Sequence, residues 1–271
     1  MLLVRADRTM LVSALRARSL DRTLTTALPT VDPLDDQAVG STGVPALDVR
    51  LGGGLPRGHL SEIVGPRSSG RTSLLIQVIA AATSRGELVA LIDALDMLDV
   101  ASLAAAGVDL HRLLWIRGHV VTSPGLCRDL NGRAMEQAVK ALGLVLQAGN
   151  FGLVVLDVGD APHDAVRRLP FTTWLRLQRM IEGSQTIGVL TGHTPISRSS
   201  AGLTITLQPA GGVSGNRLDS ARLDSSGVGS AGRFEGCLLD GLDIEARVSR
   251  ARVQASDAAA LPITTRTACH V

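Results

Sequence analysis

Ser61-Glu-Ile-Val-Gly65-Pro-Arg-Ser-Ser-Gly70-Arg71-Thr72-Ser73-Leu-Leu75 decides how the chain folds. It reads as an apolar strand, a loop bounded by two glycines, and the start of a helix. This nearly matches the phosphate-binding loop pattern of Gly, four residues, Gly, Lys, then Ser or Thr. The glycines let the backbone curl so that successive N–H groups point inward at a phosphate. A helix opening near Thr72 adds free N–H groups and the positive end of its dipole. The candidate nucleotide-binding residues are Gly65, Pro66, Arg67, Ser68, Ser69, Gly70, Arg71, Thr72 and Ser73. One residue departs from the pattern: Arg71 stands where lysine is expected.

The flanks support the loop. His59-Leu-Ser-Glu-Ile-Val64 precedes it as a strand, and Thr72 to Ser84 follows as a helix rich in Leu, Ile and Ala. Further on, Phe151-Gly-Leu-Val-Val-Leu-Asp157 is a buried strand ending in a carboxylate. Asp157 could be a simple strand-end turn residue. With a phosphate loop in place, it is instead the carboxylate that holds Mg²⁺ through water while Thr72 supplies a hydroxyl.

Composition sets the outer bounds. A chain of 271 residues fits one large domain with tails or a small appendage. Hydrophobic content of 45% with a mean hydropathy of +0.24 suits a well-buried core. Aromatics are 2%, with no Tyr, so the core must be Leu, Val, Ile and Ala. Few aromatics also argue against base stacking as the main grip on single-stranded nucleic acid. A net charge of +2 is too mild to imply a nucleic-acid partner. The three cysteines, Cys127, Cys237 and Cys269, have no metal-ligand spacing and suggest reduced thiols in a cytoplasmic protein. No stretch is long enough to span a membrane, and the N-terminal apolar run is too short for a secretory signal.

Along the chain, residues 1–40 are expected to hold a helix and a linker. The helix, residues 9–20, is basic and amphipathic. It could pack on its own domain or dock on a neighbour. Residues 41–208 form the core, with strands at Glu87–Asp93, Leu113–Ile116, Thr186–Thr191 and Leu203–Leu207. A helix from Ala134 to Gln147 has Ala138, Ala141, Leu142, Val145 and Leu146 on one side. A second helix begins after Pro170, with Phe171, Trp174, Leu175, Met180 and Ile181 as its apolar side and Arg176 and Arg179 on a solvated face. His119 and Cys127, in a polar connection, read as a loop histidine and a free thiol. Residues 209–233 are Gly- and Ser-rich and expected to be flexible. Residues 234–253 supply an edge strand, Leu242–Arg250, which alternates in polarity and should pair antiparallel with 203–208. Arg247, Arg250 and Arg252 would guard that edge. Residues 254–271 are expected to be a disordered tail.

Ser41-Thr-Gly-Val-Pro-Ala-Leu-Asp48, the Gly-Gly-Leu-Pro turn ending at Pro56, and the loop at 65–72 occur in an order that resembles the RecA recombinase family. Leu91-Ile-Asp-Ala94 followed by Leu98-Asp99, and Ala106-Gly-Val-Asp-Leu110, continue the resemblance across roughly residues 41–208. It implies an α/β, RecA-like P-loop core. The sheet would be mostly parallel and flanked by helices, with an antiparallel edge hairpin near the C-terminus. ATP and Mg²⁺ are the cofactors it implies.

Two departures weaken hydrolysis. Arg71 replaces a compact cation with a planar fork on a longer stem. Where the family has a water-activating glutamate, this chain has Leu95, which can neither orient water nor take its proton. Asp96 is adjacent, but a one-residue slip redirects a side chain. The expectation is weak or absent ATPase activity with no catalytic residue assigned; nucleotide binding is left open by a nest that has lost its lysine. The family's long second DNA-binding loop corresponds here to the short Ser-rich turn 193–201, with Arg198 as its basic residue.

Within the family, the chain looks most like the ImuA-type accessory proteins of bacterial mutagenic repair. The resemblance rests on Leu55-Pro-Arg-Gly58, Glu62–Thr72, Arg85-Gly-Glu-Leu-Val-Ala90, Leu113-Leu-Trp-Ile-Arg117, Gln147-Ala-Gly149 and Leu153–Asp157. It implies induction by DNA damage and work beside a Y-family-polymerase-like subunit and an error-prone C-family polymerase, with RecA or single-stranded DNA as further partners. A DNA-dependent ATPase of the RecA family acting on single-stranded DNA is the alternative. A cell-division inhibitor on the same fold is a weaker third.

Overall fold

The computed structural model describes residues 38–120, 128–197, 202–209, 241–251 and 259–266. The N-terminal helix at 9–20, the insert at 210–233, Cys127, Cys237, Cys269, Arg198 and Arg252 lie outside the described residues.

The phosphate-loop unit sits at the centre of an eight-stranded sheet. The elements run β1 (Val39–Gly40), α1 (Pro45–Arg50), β2 (Leu55–Pro56), β3 (His59–Val64), α2 (Arg71–Ser84), β4 (Val89–Asp93), α3 (Val100–Ala105) and β5 (Leu113–Arg117). Then come α4 (Arg128–Ala148), β6 (Leu153–Asp157), α5 (His163–Arg167), α6 (Phe171–Ile181), β7 (Ile187–Gly192), β8 (Leu203–Pro209), β9 (Gly241–Ala251) and β10 (Leu261–Arg266). The strand order is β10-β9-β8-β3-β7-β6-β4-β5. From β8 to β5 every pairing is parallel, while β9 and β10 run antiparallel to their neighbours.

The apolar runs of β4 and β6 follow from burial on both faces, and β3 and β7 are buried beside them. Alternate residues feed two cores. Val89, Leu91, Leu153 and Val155 face α1 and α2 through Leu47, Leu74 and Ile79. Ala90, Ile92, Val154 and Leu156 face α4 and α6 through Leu142, Val145, Trp174 and Leu177. The mostly parallel sheet between helices and the antiparallel strand set are the expected α/β architecture.

Three expectations need correction. The tail is not featureless: Leu261–Arg266 is β10, paired with β9 in register Ile263↔Ile244. It is the outer strand, so it tolerates Pro262. Consequently β9 is an interior strand rather than the edge, and Arg247 on it lies within 3.8 Å of Glu245. On α6, Leu175 is exposed, whereas Leu177 and Gln178 are buried. Gln178 is used for wiring: its Oε1 accepts the Leu60 N–H at 3.0 Å, tying α6 to β3.

The turn before β3 is wired similarly. Arg57 donates to Glu87 and, at 2.7 Å, to the Gln185 carbonyl. Arg85 joins the same carboxylate at 3.1 and 3.2 Å. The Leu-Pro-Arg-Gly turn and the Arg-Gly-Glu segment, separate motifs in sequence, therefore share one ion cluster. Glu87 is fully buried within it.

Candidate functional site

Parallel strands point their C-terminal ends to one rim of the sheet, and ligands of open α/β folds bind outside that rim. The loop after β3 is the first element there. Gly65 is packed so closely that a Cβ would sit 2.5 Å from the Leu207 carbonyl oxygen and 2.5 Å from Ser69 Oγ. Ser68 and Gly70 have φ of +59° and +84°, so the loop makes the left-handed turns its sequence promises. A Cβ at Gly70 would meet Ile244 of β9 at 2.8 Å. Pro66, Arg67 and Ser68 are exposed, Ser69 and Gly70 are buried, and Thr72 is open to solvent at the helix start.

Helix α2 begins without a side-chain cap. The first recorded bond into it is from the Leu74 N–H to the Gly70 carbonyl at 2.9 Å. The amides ahead of Leu74, at Arg71, Thr72 and Ser73, are the open donors of a helix N-terminus. Ser69 Oγ is buried without a hydrogen-bond partner. Open amides, the left-handed turns at Ser68 and Gly70 and an orphaned hydroxyl fit a phosphate group.

Asp157 ends β6 and is separated from β3 by β7. Its Oδ1 accepts from the Thr191 hydroxyl on β7 and from the Gly159 N–H at 2.8 Å. Burial pushes the Asp157 carboxyl above its ordinary value. The charge of Asp93, its register partner on β4, pushes the same way, while the Thr191 and Gly159 bonds and the Arg71 charge pull back. An oxygen donor at this rim, with the Thr72 hydroxyl, suits a hard cation held partly through water.

Arg71 takes a direction the sequence did not reveal. Its guanidinium points to the turn after β6, with Nη1 3.3 Å from the Gly159 carbonyl and Nη2 3.3 Å from Asp160 Oδ1. Arg67 Nε reaches Asp160 Oδ2 at 2.9 Å, and His193 Nε2 reaches Asp160 Oδ1 at 2.8 Å. Asp160 and His193 were missed as site residues. Their one signal is position: each lies just past the C-terminal end of a parallel strand, β6 and β7.

Leu95 and Asp96, at and beside the position where the sequence resemblance expected a water-activating glutamate, are both engaged elsewhere. Leu95 packs against the core beneath α4. Asp96, at φ +59°, places both carboxylate oxygens on Arg117, at 2.6 and 2.7 Å. Arg117 in turn lies over the Trp115 ring, 4.8 Å from its centroid. The hydrogen bond from Arg117 holds the Asp96 carboxyl below its usual value, which makes it a poorer base. Asp93 is committed as well: it accepts from the Leu95 and Leu98 N–H groups at 3.2 and 2.8 Å.

The turn after β7 is tied down. Buried Glu62 of β3 accepts the N–H groups of Ile196 and Ser197, both at 2.7 Å, and the Thr204 hydroxyl at 3.2 Å. Beside this turn opens a groove of about 650 Å³, walled by Phe171, Trp174 and Pro195 and carrying His163, Arg167 and Arg168. No described helix is long and apolar enough to cross a membrane.

Residues 30–162 match the RecA N-terminal domain. Protein RecA of Streptomyces venezuelae is 38% identical over 129 residues, 47% of this chain and 30% of the relative. Protein RecA of Clavibacter michiganensis subsp. michiganensis is 41% identical over 121 residues, 44% of this chain and 30% of the relative. Protein RecA of Wolinella succinogenes is 39% identical over 128 residues, 47% and 32% respectively. The chain thus spans about a third of the length of the curated relatives it matches. Sheet, phosphate loop and sequence match agree: residues 30–162 are similar to the RecA N-terminal domain and lie in an α/β core with a mostly parallel sheet.

Proposed function

We propose that the chain is a RecA-like accessory protein of DNA repair and translesion synthesis, working with a mutagenic polymerase complex and carrying a degenerate ATP site. One observation carries the reading. The charged side chains nearest the lost functions, Arg71 and Asp96, are both engaged in ion pairs, with Asp160 and Arg117. Leu95 fills the remaining position with hydrocarbon.

In this reading Gly65 to Ser73 cradle phosphate, and Thr72 and Asp157 hold Mg²⁺. Bound ATP with Mg²⁺ would supply charge that rigidifies the loop. No residue of the chain is assigned to activating water. The turn held by Glu62 is a fixed surface beside a groove bearing two arginines and a histidine, which suits an acidic partner surface or nucleic-acid backbone. The partners proposed are a Y-family-polymerase-like subunit and an error-prone C-family polymerase, with RecA or single-stranded DNA as further ones, in the cytoplasm.

The test is crosslinking and recovery of the tagged protein from DNA-damaged cells, scored for polymerase subunits against RecA. Recovery of polymerase subunits is expected. Recovery of RecA and single-stranded DNA alone would favour a RecA-type ATPase, the reading that the match at residues 30–162 keeps in view.

A further inference from the structure

Asp160 gathers three basic side chains from three different elements. Arg67 comes from the phosphate loop, Arg71 from the first turn of α2, and His193 from the end of β7. Both carboxylate oxygens are used, Oδ2 by Arg67 and Oδ1 by Arg71 and His193. The turn bearing Asp160 is anchored by the Gly159 N–H to Asp157 and by the Arg71 Nη1 bond to the Gly159 carbonyl. The Arg71 side chain is only 11% exposed, so it lies tucked under this turn.

A guanidinium fork recognises carboxylate and phosphate with the same donors and the same geometry. A carboxylate already seated on those donors competes with any phosphate that approaches. Meanwhile the backbone half of the cradle is open: the amides at the start of α2 have no capping side chain, and Ser69 Oγ is buried and unpartnered. The loop therefore has its neutral donors free and its cations spent.

We propose that Asp160 is an internal stand-in for the phosphate anion, which holds the site against nucleoside triphosphates and other polyphosphates until it is displaced. The inference rests on the reading of residues 65–73 as a phosphate cradle. Displacing Asp160 frees Arg67, Arg71 and His193 together, so the site responds to a polyanion that can engage all three rather than to a single phosphate. Because the three basic side chains come from different elements, the exchange also removes the side-chain tie between the β6 turn and His193, just past β7, while the Val158 and Thr191 bonds between the two strands remain. Nucleotide occupancy is thereby coupled to the rim where β7 leads into the turn held by Glu62.

The test compares wild type with Asp160→Asn and Asp160→Ser, and with Asp129→Asn on α4 as a control for net charge. Binding of a fluorescent ATP analogue with Mg²⁺ is measured at low salt, and inorganic tripolyphosphate is titrated as competitor. Thermal melts confirm folding, and Asp160→Ser serves if the Asn variant does not fold. Affinity for both probes should rise about tenfold in the Asp160 variants and stay unchanged in Asp129→Asn. Affinities within about twofold of wild type, an equal rise in the control, or no binding by any of the proteins would each overturn the latch. Phosphate release is recorded on the same samples. Rapid turnover by wild type would overturn the degenerate-site reading, while the affinity ratio would still decide the latch.

Discussion

Glu87→Gln should be the most damaging conservative substitution in the described core. The wild-type carboxylate is fully buried and holds Arg57, whose side chain is 6% exposed, and Arg85, which is 27% exposed. The amide keeps the shape and removes the charge, leaving Arg57 without a counter-ion in a site water cannot reach. Removing one partner of a buried pair costs about 3–5 kcal/mol. Arg85 can turn to solvent, and Arg57 keeps its bond to the Gln185 carbonyl, so the lower end applies, about 3 kcal/mol. For a chain of this size each kcal/mol lowers Tm by about 2–4 °C, which gives a drop of about 6–12 °C. Urea unfolding should show the same loss at unchanged slope. The double variant Arg57→Met/Glu87→Leu removes both charges and should recover most of the stability. A single-variant loss below about 1 kcal/mol, or a double variant as unstable as the sum of its parts, would refute this reasoning.

Glu62→Gln should cost about 1–3 kcal/mol, because the carboxylate accepts from Ile196, Ser197 and Thr204 in a buried site. Amide hydrogen exchange at Ile196 and Ser197 should accelerate, and unchanged protection there would contradict the assigned role. Asp96 should titrate below its ordinary 3.8, and return towards it in Arg117→Ala, as followed by carboxyl NMR. A lowered folded-state value means that this pair stabilises the fold above the unfolded value, and that the contribution is lost as pH falls through the folded value. A midpoint unmoved by Arg117→Ala would show that the ion pair does not set it.

Much of the fold was legible because its signals are local. The run from His59 to Ser84 announces strand, loop and helix, and Leu153–Asp157 announces its buried strand by length and apolar content. The pairing of β8 with β9 followed from alternating polarity. β10 escaped notice because Pro262 and two adjacent threonines dilute its pattern, and its partner strand alone defines it. The start of α4 at Arg128 was hidden by a polar first turn and by Gly132. Within the site, Arg71 and Leu95, standing where the resemblance expects a lysine and a water-activating glutamate, could be read directly from the sequence. What became of the remaining charges could not. Asp160 meets Arg67 and Arg71 across some ninety positions of chain, and Asp96 meets Arg117 only because β4 and β5 are neighbours. Such pairings depend on strand order, which no local pattern encodes.

The central claim is that the phosphate cradle persists without the groups that split the terminal bond. Steady-state phosphate release from ATP, with and without single-stranded DNA, addresses it most directly. Release should stay at background in both cases and be indifferent to Asp157→Ala. Robust DNA-stimulated turnover that Asp157→Ala abolishes would contradict it.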